Sequence, residues 1–111
     1  MNRPEPTCPA ELTLEFIEGR WKIIILWHLA QGVKRSSQLS QAITGISRRV
    51  LTQQLRQMEQ DGLVNREVFA QVPPRVDYSL TPLGESLMPI VEAMCEWAHT
   101  HRIPLAKYYL M

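Results

Sequence analysis

The sequence predicts a single α+β domain that is mainly helical, with a helix-turn-helix, a two-stranded β-hairpin and helices at both ends. Three observations lead to this fold class. The 111 residues, 45% of them hydrophobic, suit one compact domain with a small core. Residues 47–61 form an amphipathic helical pattern with a start and a stop signal. After them the spacing of apolar residues changes from a helical to an alternating period, which is typical of strands.

The domain is expected to cover residues 9–100. Proline-rich residues 1–8 form an arm ahead of it, and residues 101–111 form a tail that is apolar enough to dock against another surface. Pro9, or a residue near it, begins the first predicted helix, which continues through Ile17.

Two further helices are predicted ahead of the amphipathic one. The first spans Trp21 to Ala30, where the run Ile23–Trp27 is apolar on nearly all sides and is expected in the core. Its β-branched residues would also suit a buried strand. Ser36 or Ser37 caps the next, shorter helix, which closes at Gly45. A short helix, a turn that contains glycine and a longer amphipathic helix follow the order of a helix-turn-helix.

The amphipathic helix of residues 47–61 has two unlike faces. Ser47 is its expected N-cap, since a serine hydroxyl can accept a hydrogen bond from a free N–H of the first turn. Gly62 ends it, because glycine enters the left-handed conformation without a steric cost. Its apolar stripe consists of Leu51, Leu55 and Met58, and its polar side carries Arg48, Arg49, Thr52, Gln53, Arg56 and Gln60. Arginine, glutamine and threonine are side chains that read base edges in the major groove of DNA.

Residues 64–80 are predicted to form a β-hairpin. Two strand-like stretches flank Ala70–Arg75, whose prolines lack the N–H that a strand ladder needs. The hairpin therefore has a stiff tip that carries Arg75, and it forms a wing beside the helix-turn-helix. Thr81 and Pro82 then begin a long last helix as its N-cap and first helical residue. Down one side of that helix run Leu83, Leu87, Val91, Met94 and Ala98.

The charge of the chain is unevenly distributed. The formal net charge is only +1, but residues 19–58 contain no Asp or Glu and hold seven of the twelve Lys and Arg residues. Local sign rather than total charge governs attraction to a phosphate backbone. An ordinary solvated face is the alternative explanation for such an interval. The length of the interval without acidic residues favours a nucleic-acid partner.

Several classes of protein are not expected. No run approaches the roughly 18 apolar residues of a membrane span, and Met1–Pro6 lacks an apolar signal segment, so a cytoplasmic location is expected. A glycine-rich phosphate loop, a nucleophile with its base and a carboxylate dyad are all missing, which argues against an enzyme, and no cofactor is expected. His99 and His101 fall on different helix faces and His28 lies in an apolar helix, so no metal site is expected.

A set of short motifs in this order resembles the HxlR-type family of bacterial winged-helix transcription regulators, relatives of the MarR group. The matching segments are Cys8–Pro9, Gly19–Lys22, Gly45–Ser47, Leu51–Thr52, Leu55, Glu59–Val64, Val72–Val76, Tyr78–Thr81, Leu83–Gly84 and Trp97. Arg35–Ser36 departs from the basic–aromatic pair of many members. The resemblance implies a winged helix-turn-helix and a homodimer paired through its terminal helices. Such a dimer is expected to bind double-stranded DNA at an inverted-repeat operator.

For DNA binding, residues 47–61 are the predicted recognition helix in the major groove, and residues 64–80 are the wing near the minor groove. Ser47 and its neighbouring amides at the helix N-terminus suit a phosphate. Arg56, farther along the helix, suits the flanking backbone. Base contacts are expected in the first two turns, which reach base edges, from Arg48, Arg49, Thr52 and Gln53.

Three residues outside that helix complete the predicted surface. Arg35 and Ser37 lie where the preceding helix would cross the DNA backbone, and Arg75 at the wing tip would enter a minor groove. Phosphate contacts are expected to dominate affinity, while base contacts specify sequence. The alternative is a winged-helix module that binds protein rather than DNA, for which the polar face of residues 47–61 would not be needed.

Cys8 is the candidate redox-sensing residue, because a thiol near a helix start can become a reactive thiolate. The resemblance implies that some members sense oxidants or electrophiles through a cysteine at this place, whereas others bind small molecules. An inert thiol near the dimer interface is the alternative. Cys95 is expected to pack in the last helix. Trp21, Trp27 and Trp97 are expected to be core or interface anchors, or else to line a small effector pocket.

Overall fold

A computed structural model of the chain describes residues 7–104. These residues form α1 (Pro9–Ile17), α2 (Lys22–Ala30), α3 (Ser36–Ala42), α4 (Arg48–Gln60), β1 (Val64–Phe69), β2 (Arg75–Leu80), α5 (Pro82–Ser86) and α6 (Met88–Thr100). The predicted fold class is confirmed: a mainly helical α+β domain whose helix-turn-helix, α3 and α4, precedes a two-stranded wing. Most of the predicted arm and most of the predicted tail lie outside the described residues.

The apolar core joins α2, α3 and α4. As predicted, Leu51, Leu55 and Met58 form the buried stripe of α4. They belong to one cluster with Leu26 of α2 and Leu39 of α3, both fully buried. Burying a leucine side chain stabilises a fold by about 1.5–3 kcal/mol, so this stripe fixes the orientation of α4 and leaves its opposite side to solvent.

The run Ile23–Trp27 is helical rather than extended. Ile25 and Leu26 are fully buried, but Trp27 is 53% exposed. Successive residues of a helix point about 100° apart, so five consecutive side chains cannot all face one core. The expectation that the whole run lies in the core is therefore wrong for Trp27.

Helix α3 is capped differently from the prediction. Neither Ser36 nor Ser37 occupies the N-cap, since both lie in the first turn of the helix. Arg35 takes that position with an extended backbone, and its N–H donates a hydrogen bond to Oε1 of Gln38 at 2.8 Å. A glutamine at this third helical position can reach back to the N-cap backbone, so the serine hydroxyls are not needed there.

The predicted long last helix is divided into α5 and α6. The break lies at Leu87, whose N–H donates to the carbonyl oxygen of Gly84 at 3.2 Å. Pro89 explains it, because proline lacks an N–H and its ring would collide with a carbonyl one turn earlier in a continuous helix. The predicted side of the helix is also not uniformly buried, since Leu83 and Met94 are 51% and 44% exposed.

The wing is attached to the residues that lead into α3. Strands β1 and β2 pair antiparallel, with Phe69 opposite Arg75 at the end nearest the tip. The N–H of Lys34 donates to the carbonyl oxygen of Tyr78 at 3.0 Å, and the N–H of Tyr78 donates back to Lys34 at 2.8 Å. This reciprocal backbone pair holds the second wing strand beside the helix-turn-helix.

Candidate nucleic-acid interface

Helix α4 presents an exposed polar face beside a capped N-terminus. The Oγ of Ser47 accepts a hydrogen bond from the N–H of Val50 at 3.1 Å, which confirms the predicted N-cap. Gly62 has φ +78°, as expected for the residue that ends the helix. The remaining free amides of the first turn carry the positive end of the helix dipole. All the predicted contact residues of this helix are exposed: Arg48, Arg49, Thr52, Gln53 and Arg56.

Arg75 does not lie at the tip of the wing, contrary to the prediction. The tip consists of residues 70–74, and Arg75 is the first residue of β2, paired with Phe69. Pro73 and Pro74 cannot donate to the ladder, but Arg75 has its own N–H, so the strand begins there. The side chain therefore projects from the body of the wing.

The carboxylate of Asp77 holds the guanidinium of Arg75. Nε of Arg75 lies 2.9 Å from Oδ1 and Nη2 lies 3.0 Å from Oδ2, so the pair is bidentate. Residues two apart on a strand share a face, which brings these side chains together. The guanidinium carbon also lies 5.4 Å from the centre of the Phe69 ring.

The ion pair shifts both titrations in the direction that keeps both groups charged. The hydrogen bond from Arg75 lowers the pKa of Asp77 below its ordinary value of 3.8, burial opposes that shift, and the charges of Arg75 and Arg35 lower it further. The hydrogen bond to Asp77 and its negative charge raise the pKa of Arg75. The interaction is therefore one between two full charges across the physiological range.

A hollow between the start of α3 and the wing, here called the α3–wing hollow, gathers residues from distant parts of the chain. Its lining consists of Val33, Lys34, Arg35, Ser37, Gln38, Arg75 and Asp77. The structure thus brings together Arg35, Ser37 and Arg75, which were predicted separately. Lys34 was missed, although it belongs to the interval without acidic residues and that signal could have identified it.

A second hollow lies between α4 and the wing and is here called the α4–wing hollow. Its lining consists of Thr52, Arg56, Glu59, Arg66 and Tyr78. Arg66, an exposed residue of β1, was also missed by the sequence prediction. The only signal for it in the sequence is a basic residue within the predicted wing. It extends the basic surface of α4 onto the first wing strand.

The interval without acidic residues does not map onto one surface in full. Lys22 is buried, with 9% of its surface exposed, and Arg20 lies over the ring of Trp21 at 4.8 Å from its centre. Both residues precede the helix-turn-helix. The five other basic residues of the interval lie on or just before α3 and on α4: Lys34, Arg35, Arg48, Arg49 and Arg56.

The two cysteines and two of the tryptophans are exposed. Cys8 occupies the N-cap of α1. Cys95 was expected to pack within the last helix, and this is wrong: it is exposed, because residues 92–97 are all exposed and α6 extends past the core after Val91. Trp27 and Trp97 are likewise exposed, so they do not anchor the core of the described chain.

Two features of other protein classes are absent from residues 7–104. Over this range, no group of three or more His, Cys, Asp or Glu side chains is placed to hold a metal ion. The helices within the same limits are all too short or too polar to cross a membrane. The absence of a metal or cofactor from the function of the chain stays a prediction.

Comparison with known proteins identifies close relatives. Residues 16–105 match a family model described as HxlR-like helix-turn-helix. The chain is 48% identical over 101 residues to the uncharacterised HTH-type transcriptional regulator YybR of Bacillus subtilis, a match that spans 91% of this chain and 81% of that protein. An uncharacterised HTH-type transcriptional regulator of Methanothermobacter thermautotrophicus is 44% identical over 97 residues, which cover 87% and 74% of the two chains.

Solved structures show the same fold. The redox regulator HypR in its reduced form has a TM-score of 0.83 and 46% identity, covering 91% of this chain and all of that chain. The reduced form of the transcriptional regulator YodB from Bacillus subtilis has a TM-score of 0.75 and 32% identity, covering 84% and 92%. The family model and the relatives named as transcriptional regulators confirm the predicted family and the prediction that the chain is not an enzyme.

Proposed function

Because the chain belongs to the HxlR-like helix-turn-helix family of transcription regulators, we propose that it binds double-stranded DNA sequence-specifically as a homodimer. The observation that carries the proposal is the capped start of α4, whose exposed polar face lies beside the wing. A helix with such a face fits the major groove of DNA, where arginine pairs with guanine and glutamine pairs with adenine.

The recognition helix divides its contacts along its length. The free amides next to Ser47 bind a phosphate at the helix N-terminus, where the helix dipole favours an anion. Arg56 lies farther from the helix start and binds the flanking backbone, together with Arg66 across the α4–wing hollow. The base contacts come from Arg48, Arg49, Thr52 and Gln53.

The α3–wing hollow supplies a second set of backbone contacts. Arg35 and Ser37 lie at the start of α3, and Arg75 faces them from the wing. The bidentate pair with Asp77 holds the guanidinium of Arg75 against the second wing strand. A phosphate contact at that place therefore fits the geometry better than the minor-groove contact expected of a tip residue.

Dimerisation through the terminal helices would cover apolar residues that the single chain leaves in solvent. Ile90, Met94 and Trp97 follow one another at helical spacing on α6 and are all exposed, and Leu12 is exposed on α1. Exposed apolar patches of this kind mark interaction surfaces. A two-fold dimer is expected to recognise an inverted repeat with half-sites about 34–36 Å apart, one helical turn of DNA.

Oxidation of Cys8 is the proposed signal for this regulator. The HypR and YodB structures include reduced forms, and others are described as oxidised HypR and diamide-treated YodB. In this chain Cys8 is exposed at the start of α1, where an oxidant can reach it. α1 is one of the two helices proposed to pair, so a change at Cys8 would act on the dimer and through it on the spacing of the recognition helices. A small-molecule effector is the alternative signal.

The proposal is tested by mobility shift and footprinting with DNA that flanks the chain's own gene. We expect a salt-dependent complex and protection of an inverted repeat. Treatment with diamide, which oxidises two thiols to a disulfide, is expected to alter binding by the wild type and by Cys95→Ser but not by Cys8→Ser. Identical responses in all three would remove Cys8 from the mechanism. Absence of any complex, with the polar face of α4 dispensable for function, would favour the protein-binding alternative.

A further inference from the structure

Within residues 7–104 the structure buries two charged side chains, Lys22 and Asp77. Asp77 lines the α3–wing hollow together with Lys34, Arg35 and Arg75. Only 8% of Asp77 is exposed. On charge alone, an acidic side chain at this place weakens the attraction of the surface for a phosphate backbone. Its presence is therefore unexpected unless the carboxylate does something that outweighs this repulsion.

The carboxylate restricts the movement of one arginine. An arginine side chain that is free in solution loses rotational freedom when it binds a phosphate, which weakens the contact. The two hydrogen bonds from Arg75 to Asp77, at 2.9 and 3.0 Å, place the guanidinium before any ligand arrives. They use two of its five N–H donors, so three remain for another acceptor. The Phe69 ring lies 5.4 Å away on another side of the same group.

The restrained guanidinium lies beside two further cations. Lys34 and Arg35 line the α3–wing hollow together with Arg75. The backbone of Lys34 is fixed to β2 by its reciprocal hydrogen bonds with Tyr78. Arg35 is close enough to Asp77 for its charge to lower the pKa of that carboxyl group. Three cationic side chains and a single carboxylate thus line one small hollow.

We propose that Asp77 is a positioning residue for DNA binding, which holds Arg75 beside Lys34 and Arg35 so that the three cations bind one phosphate of the DNA backbone. The inference rests on the proposed DNA binding and assigns a role to a residue that does not itself contact the DNA. Arginine binds phosphate through paired N–H groups, so the orientation of its planar guanidinium matters as well as its charge.

The test compares Asp77→Asn with Glu67→Gln in DNA titrations by fluorescence anisotropy. Glu67 lies opposite Asp77 in the hairpin and is exposed, so both variants remove one negative charge from nearly the same place. Electrostatics alone predicts equal or tighter binding for both. Positioning predicts that Asp77→Asn weakens binding roughly tenfold, the size of one charge-assisted hydrogen bond, while Glu67→Gln does not weaken it.

The salt dependence separates positioning from a general loss of structure. Each lost phosphate contact lowers the magnitude of the negative slope of log K against log salt by about 0.9. We expect a smaller slope for Asp77→Asn than for the wild type and an unchanged slope for Glu67→Gln. The double variant Arg75→Ala/Asp77→Asn is expected to bind no more weakly than Arg75→Ala, because Asp77 strengthens binding only through Arg75.

Arg75→Lys covers the case in which Asp77→Asn does not fold. Lysine keeps the positive charge but cannot make the bidentate pair, so it is also expected to weaken binding. The inference is overturned if Asp77→Asn, folded by circular dichroism, binds at least as tightly as the wild type, or if Arg75→Lys binds as the wild type does. Either result with normal wild-type binding leaves the proposed function intact, whereas a wild type that binds no DNA removes the proposed function itself.

Discussion

The hydroxyl of Thr81 donates a hydrogen bond to the carbonyl oxygen of Gly62, with the two oxygens 2.5 Å apart. The same Oγ1 accepts a hydrogen bond from the N–H of Gly84 at 3.0 Å and so caps α5. Thr81 thereby connects the residue that ends α4 with the helix that follows the wing. The hydroxyl of Thr81 thus helps to hold the base of the wing against the end of α4.

Thr81→Val is expected to lower the free energy of unfolding by about 1–2 kcal/mol, the usual cost of a lost helix cap. Valine keeps the shape of threonine but can neither donate to Gly62 nor accept from Gly84. Urea denaturation followed by circular dichroism measures the change. Thr44→Val, at an exposed loop position, is the matched control and should have little effect. Equal stability of the two variants would contradict the role of Thr81.

Gly84→Ala is expected to destabilise the fold by about 1–3 kcal/mol, as overpacking does. A Cβ at Gly84 would collide with the carbonyl oxygen of Leu63, a backbone atom that accepts a hydrogen bond from the N–H of Thr81. Gly62→Asn is the contrast, because Gly62 needs only a positive φ and asparagine tolerates that conformation. Thermal unfolding should rank Gly84→Ala as the less stable variant, and the reverse order would refute the steric argument.

Arg49→Ala is expected to weaken binding to the operator by about 1–3 kcal/mol, the range of a base contact. Binding to unrelated DNA should fall much less, because that complex depends on phosphate contacts. Arg20→Ala removes the same charge from a residue that stacks on Trp21, outside the helix-turn-helix, and serves as the control. Equal losses on both DNA sequences would mean that Arg49 contacts the backbone rather than a base.

The contribution of Asp77 to stability is expected to depend on pH. Its pKa in the folded chain lies below the ordinary value of 3.8 because Arg75 donates hydrogen bonds to its charged form. A lowered pKa in the folded state means that the stabilisation is complete above pH 3.8 and is lost as pH falls through the folded value. Urea midpoints should therefore favour the wild type over Asp77→Asn near neutral pH and converge in acid. A difference that persists or grows in acid would be inconsistent with the ion pair.

Trp97→Ala is expected to weaken the proposed dimer by about 2 kcal/mol or more, as buried interface tryptophans do. Trp97 is 61% exposed in the single chain and lies on the apolar side of α6. Trp27→Ala removes a similarly exposed tryptophan from α2 and is the control. Sedimentation equilibrium should show a larger monomer fraction only for Trp97→Ala. A monomeric wild type, or an unchanged Trp97→Ala dimer, would argue against pairing through α6.

Much of the candidate interface could be predicted because its signals are local. The cap at Ser47 and the stop at Gly62 depend on residues within one turn of a helix, and the buried stripe of α4 depends only on helical spacing. Two local signals were misjudged. Pro89 divides what was predicted as one long helix. Arg75 begins β2 and was predicted at the wing tip; its strand position places its side chain on the same face as that of Asp77.

The sequence by itself determined the amphipathic helix α4, its two faces and the presence of a wing, because backbone conformation and amphipathic spacing follow from neighbouring residues. Only the tertiary structure decided which distant cations share a site. Lys34 and Arg35 meet Arg75 because the backbone of Lys34 pairs with Tyr78 and brings the wing against the start of α3. That approach depends on hydrogen bonds and packing between segments far apart in the chain. Such contacts cannot be predicted from the spacing of residues within one helix or strand.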